Sequence, residues 1–268
     1  MNRDNAKQLP RIAVLVSDSF GTPFEELKTG IHRELWQNLE SYGVSIYFSI
    51  GNKPNKIQVI LSEYSTILRY TKWLWVLQRV VDRLTLCRYN YNLPTVKKEN
   101  LNLVTDIPEG TRYMGAKTLA GFKFLYDSGY DIVYRTTLST VVISQNFIST
   151  IENINNEKPY YGGSVVSLPG LNFVSGANLF LNRKALEIIF GNIRKWKHSD
   201  LDDVALGKMF KNIVSITPLK SVNVSTLDEA KNLKQIDLNG AIHVRCKSSS
   251  KVRNDAEIMH YVKDHFLT

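Results

Sequence analysis

The stretch RIAVLVSDSF (11–20) is apolar almost without interruption and ends in small polar residues. That pattern predicts a central parallel strand covered on both faces, its C-terminal end opening on a crevice. Across TPFEELKTGIHRELWQNLESYG the period changes. Phe24, Leu27, Ile31, Leu35 and Leu39 recur at helical spacing and share one face of a single predicted helix. Thr22 is placed to cap it, Pro23 suits its first turn, Glu25 and Glu26 complement the positive end of its dipole, and Gly43 closes it. VSIYFSIG (44–51) restores a strand and completes a β-α-β unit of the normally right-handed, parallel kind.

The alternation continues along the chain. Residues 61–88 predict a helix that mixes Trp73, Trp75 and Leu77 with Arg69, Lys72, Arg79, Arg83 and Arg88. It reads either as a membrane-surface face or as a core helix with one solvated side. LNLVTDIP predicts a strand, GTRYMGAKTLAGFKFLYDSG a helix over about 113–126 with Gly129 past its end, and DIVYRT the next strand. KPYYGGSVVSLPGLNFVSGANLFLNRKALEIIF supplies two strands joined by a Pro-Gly turn, then a helix starting near Asn182. HSDLDDVALGKMF opens a further helix with acids in its first turn. The fold class predicted is α/β: a mixed, mostly parallel sheet flanked by helices. It forms one domain over 11–268, after an extended or disordered 1–10 and including a basic C-terminal extension.

Composition narrows the partners. With 43% hydrophobic and 22% charged residues, the chain matches globular averages rather than disordered ones. Cys87 and Cys246 are the only cysteines, too few for a disulfide framework and without zinc-site spacing, which points to a reducing compartment. The polar start MNRDNAKQLPR resembles neither a signal peptide nor an anchor, so the expected location is the cytoplasm or the periphery of the cytoplasmic membrane face. Lys and Arg number 34 against 25 Asp and Glu, a formal charge of +9 that favours an anionic partner. No zinc finger or ribonucleoprotein motif is present, so no nucleic acid is expected.

Four stretches carry a resemblance by their order and spacing: ELKTGIHRELW, GAKTLAGFKF, FVSGANLFLNRKAL and LDDVALG. They resemble, in turn, the Ile-Arg-x-Thr-Trp helix, the Leu-Lys-Thr-Leu helix, the Ser-Gly-Gly-Gly-Tyr-x-x-Ser strand and helix, and the Glu-Asp-Val-x-x-Gly motif of GT-A glycosyltransferases. The most similar group is that of the β-1,3-galactosyltransferases and fringe. The resemblance implies a GT-A, Rossmann-like fold and an inverting hexosyl- or pentosyltransferase. Such an enzyme moves a sugar from a nucleotide-sugar donor, its co-substrate, to a hydroxyl of a glycan acceptor.

One motif departs from that group. Where it has Lys-Thr-Asp-Asp-Asp-Val, this chain has RTTLST, with Thr137, Leu138 and Ser139 in the three acidic positions. Hard divalent cations prefer carboxylate oxygens, so no metal ligand is expected and a divalent metal is disfavoured. The charge that builds on a departing diphosphate can instead be met by fixed Arg and Lys groups. Arg135, Thr136, Thr137 and Ser139 of the bend, with Arg245, Lys247, Lys251 and Arg253 of the C-terminal stretch, are therefore expected to hold the donor. The alternative is a solvated basic tail.

Ser17 and Asp18 lie where GT-A proteins receive the nucleoside, their alternative role being helix entry. Lys117 resembles the donor-facing lysine of Lys-Thr-Leu. The resemblance makes Asp203 the general base and Asp202 its helper or an acceptor contact, with helix capping as the alternative. The literal Asp-x-Asp at Asp200 and Asp202 is not read as a metal motif, because it sits at a helix start. Gly176, Ala177 and Asn178 are expected to floor the acceptor site. His243 lacks acidic partners and reads as a structural strand-end histidine. Two further readings stay open: a catalytically silent GT-A module that binds nucleotide or glycan, and a basic nucleic-acid or membrane-surface binder.

Overall fold

A computed structural model describes residues 10–19, 24–52, 80, 86, 89, 93–110, 113–198, 200–248 and 253–267. The elements in order are β1 (Ile12–Ser17), α1 (Phe24–Thr29), α2 (Ile31–Glu40), β2 (Ser45–Asn52), β3 (Val96–Glu99), β4 (Asn102–Pro108) and α3 (Met114–Asp127). Next come β5 (Ile132–Thr137), β6 (Thr140–Val142), α4 (Ser144–Glu152), β7 (Tyr161–Leu168), β8 (Leu171–Asn182), α5 (Arg183–Gly191) and α6 (Asp202–Phe210). The chain continues through β9 (Ile216–Pro218), β10 (Lys220–Asn223), α7 (Leu227–Asn232), α8 (Gln235–Leu238), β11 (Ala241–Arg245) and α9 (Asp255–Phe266).

Among the described residues, eight strands form one sheet in the order β3-β4-β2-β1-β5-β8-β7-β9, and β10-β11-β6 form a second. β4, β2, β1 and β5 are mutually parallel, whereas β8 runs antiparallel to both β5 and β7. This is the mixed, mostly parallel α/β sheet flanked by helices that the alternating pattern predicts. β1 is buried on both faces, as its unbroken apolar run requires. Val14, Val16 and Tyr134 face a core closed by Leu27, Trp36, Phe147, Ile258 and Val244. Leu15 and Val133 face the opposite core, closed by Leu119, Phe122, Leu186 and Leu206. Each such buried side chain is worth roughly 1.5–3 kcal/mol of transfer free energy, which makes β1 and β5 a stiff floor for whatever lies at their ends.

Three local features differ from the sequence reading or sharpen it. The single helix predicted from the first apolar stripe is divided at Gly30, whose backbone leaves helical geometry at φ −91° and ψ −109°. The stripe nevertheless stays on one side, with Leu27, Ile31 and Leu39 buried. The Pro-Gly turn is tight: Leu168 pairs with Leu171, and Gly170 takes φ +75°, the left-handed value that the second corner of a type II turn demands. The basic C-terminal stretch is not a free extension, because β11 pairs antiparallel with β6 and α9 packs into the core. Most of 61–88, with its tryptophans and arginines, lies outside the described residues, as do Thr22, Pro23, Cys87 and Lys251.

Candidate functional site at the strand ends

Parallel registry brings Ser17, Ser49 and Thr137 level at the C-terminal edge of β1, β2 and β5. Just beyond, Asp18 is buried, and its carboxylate accepts from Lys28 Nζ at 2.6 Å and from the Ser19 amide at 2.7 Å. Burial nonetheless raises its pKa above the usual carboxylate range, Lys28 opposing the shift. Lys117, 1% exposed, reaches from α3 to donate to the Asp18 carbonyl at 2.8 Å and to Glu109 at 2.5 Å. Glu109 in turn accepts from the Gly51 amide at 2.6 Å. Lys117 thus sits at the strand ends that the resemblance implied, but its charge is matched by Glu109. Lys28 and Glu109 were missed by sequence reasoning, since neither stands in a recognisable motif.

The RTTLS bend is packed rather than open. Leu138 is 1% exposed in the core, and its carbonyl accepts from His32 Nε2. Thr136 is buried and donates to the Ala177 carbonyl at 3.0 Å, joining β5 to β8. Thr137 and Thr140 share a hydroxyl hydrogen bond of 3.2 Å. Ser139 donates to Asp255, which is also gripped by Arg253 and by the Ser248 amide at 2.9 Å. These groups do not fit a divalent cation: they offer hydroxyls already bonded within the protein and a leucine turned inward. Among the described residues no three His, Cys, Asp or Glu side chains converge as a metal site would need.

Across the bend, α6 presents two carboxylates with different surroundings. Asp202 is buried and paired with Arg135 at 2.8 Å, and it accepts from Thr118 at 2.9 Å. Asp203 is half-buried; one oxygen accepts from the Gly176 amide at 3.1 Å and the other from the Val204 amide at 2.8 Å. Burial raises its pKa, and the neighbouring Asp202 charge adds to the effect. Asp202, expected beside an acceptor, is instead consumed by Arg135, and Arg135, expected to face a phosphate, is 4% exposed. Ala177 and Asn178 are buried as well; Asn178 donates to Ser164 at 3.0 Å.

The C-terminal basic residues divide. Arg253 is spent on Asp255 and Ser139 and lies 5.0 Å from the Phe24 ring, so its charge is neutralised locally. Lys247 is exposed. Arg245 is half-buried at the end of β11, opposite Thr140 of the bend. Burial and the Arg135 charge lower its pKa, while Asp203 pulls the other way, and its Nε has no hydrogen-bond partner among the described residues. Among the described residues it forms no ion pair, and the charges of Asp203 and Asp255 both act on it. His243 is buried against Tyr134, 2.9 Å from its hydroxyl, and burial pushes its pKa down to about 3. That is the structural role expected for it. Asp255, which decides the fate of both Ser139 and Arg253, carried no sequence signal.

No protein-family model matches the chain, and no curated protein matches its sequence. Among solved structures it is similar to the galactosyltransferase LgtC in complex with donor and acceptor sugar analogs. The match has 8% identity over 94% of this chain and 96% of that one, with a TM-score of 0.47. It is also similar to the glycosyltransferase GlyE of Streptococcus pneumoniae TIGR4, at 14% identity and a TM-score of 0.41. There 94% of this chain covers 60% of the larger one.

Proposed function

We propose that this chain is a glycosyltransferase of GT-A type that carries a sugar from a nucleotide donor to a glycan hydroxyl with inversion. The observation that supports it most is the half-buried Asp203 carboxylate of raised basicity at the start of α6, with Arg245 of β11 near enough to feel its charge. Asp203 keeps a lone pair on each oxygen beyond its single amide bond, so it can take a proton from an acceptor hydroxyl. Its raised pKa brings it nearer to operating pH, where a general base works best. Arg245 is the described cation assigned to the diphosphate, and exposed Lys247, two positions on, adds positive charge. The nucleoside end falls to Ser17, Asp18 and the Lys117 platform. In this reading the bend does its work without a divalent metal.

A panel of nucleotide sugars assayed for transfer and donor hydrolysis tests the reading. The parent should turn over at least one donor, and Asp203→Asn should lose about 10²- to 10⁴-fold in kcat. Equal turnover by parent and variant would end Asp203's role as the base. One observation favours a second reading, a silent module that binds nucleotide or glycan: Arg135 and Arg253 are both already neutralised by carboxylates. A parent that binds nucleotide and turns over no donor would support that module. The expected membrane contact rested on 61–88, which lies outside the described residues; among those described, no helix is long and apolar enough to cross a membrane.

A further inference from the structure

Arg135 is the cation of the bend, yet it is 4% exposed and its guanidinium is occupied from two directions. Nη2 pairs with Asp202 Oδ2 at 2.8 Å, and Nη1 donates to the Gly176 carbonyl. The amide nitrogen of the same residue, Gly176, donates to Asp203 Oδ2 at 3.1 Å. Asp202 is held a second time by Thr118 on α3, at 2.9 Å. One guanidinium therefore ties β5 both to the first residue of α6 and to the β8 segment that carries the Asp203 contact. A Cβ at residue 176 would collide with Arg135 Nη1, so the absence of a side chain there is what lets the guanidinium reach the backbone. Nε is sealed from solvent without a partner among the described residues, so no edge of this guanidinium is turned to a ligand.

We propose that Arg135 is a positioning residue: it fixes the Gly176 peptide and the start of α6 so that the Asp203 carboxylate is held at one orientation. This rests on the reading of Asp203 as the base, and it replaces donor contact as the role of Arg135. Lysine could not substitute, because one ammonium on a flexible stem does not supply two fixed, divergent donors. Among the described residues, the charged and titratable groups facing Asp203 are Asp202 from α6, Arg135 from β5, Arg245 from β11 and Tyr161 from β7.

The test uses the full-length chain in three forms: the parent, Arg135→Lys, and the double variant Arg135→Met with Asp202→Asn. The double variant removes both charges together, which keeps the fold from burying a lone ion. Amide hydrogen exchange is followed residue by residue, and the Asp203 carboxyl is titrated by carbon-13 NMR. In both variants the Gly176 amide should exchange about ten-fold faster or more, with β1 amides unchanged. In the double variant the Asp203 midpoint should move from the parent's, because both neighbouring charges and the held Gly176 amide bond are lost together. Where the parent is active, kcat should drop with KM for the donor little changed. Gly176 protection and an Asp203 midpoint equal to the parent's would overturn the proposal, as would acceleration of every amide alike. A parent without transferase activity would count against the proposed function, while the exchange data would still decide the role of Arg135.

Discussion

Leu138 shows how a single side chain changes the chemistry of a bend. Its position is one where the sequence reading expects an acid; here the side chain is 1% exposed and belongs to the core. Leu138→Asp should therefore not rebuild a metal site. It would bury a carboxylate among apolar groups and cost on the order of 3 kcal/mol, seen as a lower urea midpoint with unchanged m-value. Mn²⁺ should bind parent and variant equally poorly, and tight stoichiometric Mn²⁺ binding by the variant would refute this account. Gly176→Ala is a second test at this scale. The collision with Arg135 should destabilise by about 1–3 kcal/mol in thermal melts and slow transfer, whereas Gly170→Ala should lower stability through its positive φ without touching activity. Polar residue types were legible in the sequence, but their partners were not. The bonds that decide the fate of Lys117, Asp202 and Ser139 join residues 99, 84 and 116 positions apart.

Elements were read more faithfully than contacts, because their period is local. The strand at Ile132–Thr137 and the helix at Met114–Asp127 stand where the apolar spacing placed them, and the turn stands at its Pro-Gly pair. The first helix is the exception: its stripe is continuous, but the backbone breaks at Gly30, where no side chain helps to hold helical geometry. The basic C-terminal stretch was illegible for another reason. β11 acquires its place by pairing with β10 on one side and, on the other, with β6, about a hundred residues earlier in the chain. α9 is then fastened to the bend by Asp255. Burial alone would raise the pKa of that carboxyl, but bonds from Arg253, Ser139 and the Ser248 amide outweigh burial and hold it below the usual range. A carboxyl depressed in the folded state stabilises fully above its unfolded value of about 4, and the contribution fades as pH falls through the lower folded value. Asp255→Asn should thus be less stable than the parent by about 3 kcal/mol at pH 7, with the gap closing in acid. Denaturant melts between neutral and strongly acidic pH would show it. A gap independent of pH would mean that packing, not charge, is what the residue supplies.

At the scale of the molecule, a formal charge of +9 does not translate into a uniformly positive cleft. Lys28, Lys117, Arg135 and Arg253 each face a carboxylate at the strand ends or the bend. Among the described residues, Arg245 is a cation there that forms no ion pair, and Lys247 two positions on is exposed. This arginine, which feels the charge of Asp203, is proposed to take the diphosphate without a divalent cation. Calorimetric titration of nucleoside diphosphates into the parent and Arg245→Met, both in excess chelator, tests it most directly. The parent should bind at least one of them, and the variant should bind it about ten-fold more weakly or worse, a loss of about 1.4 kcal/mol. Binding by the parent that requires Mn²⁺ or Mg²⁺, or equal affinity of parent and variant in chelator, would contradict it.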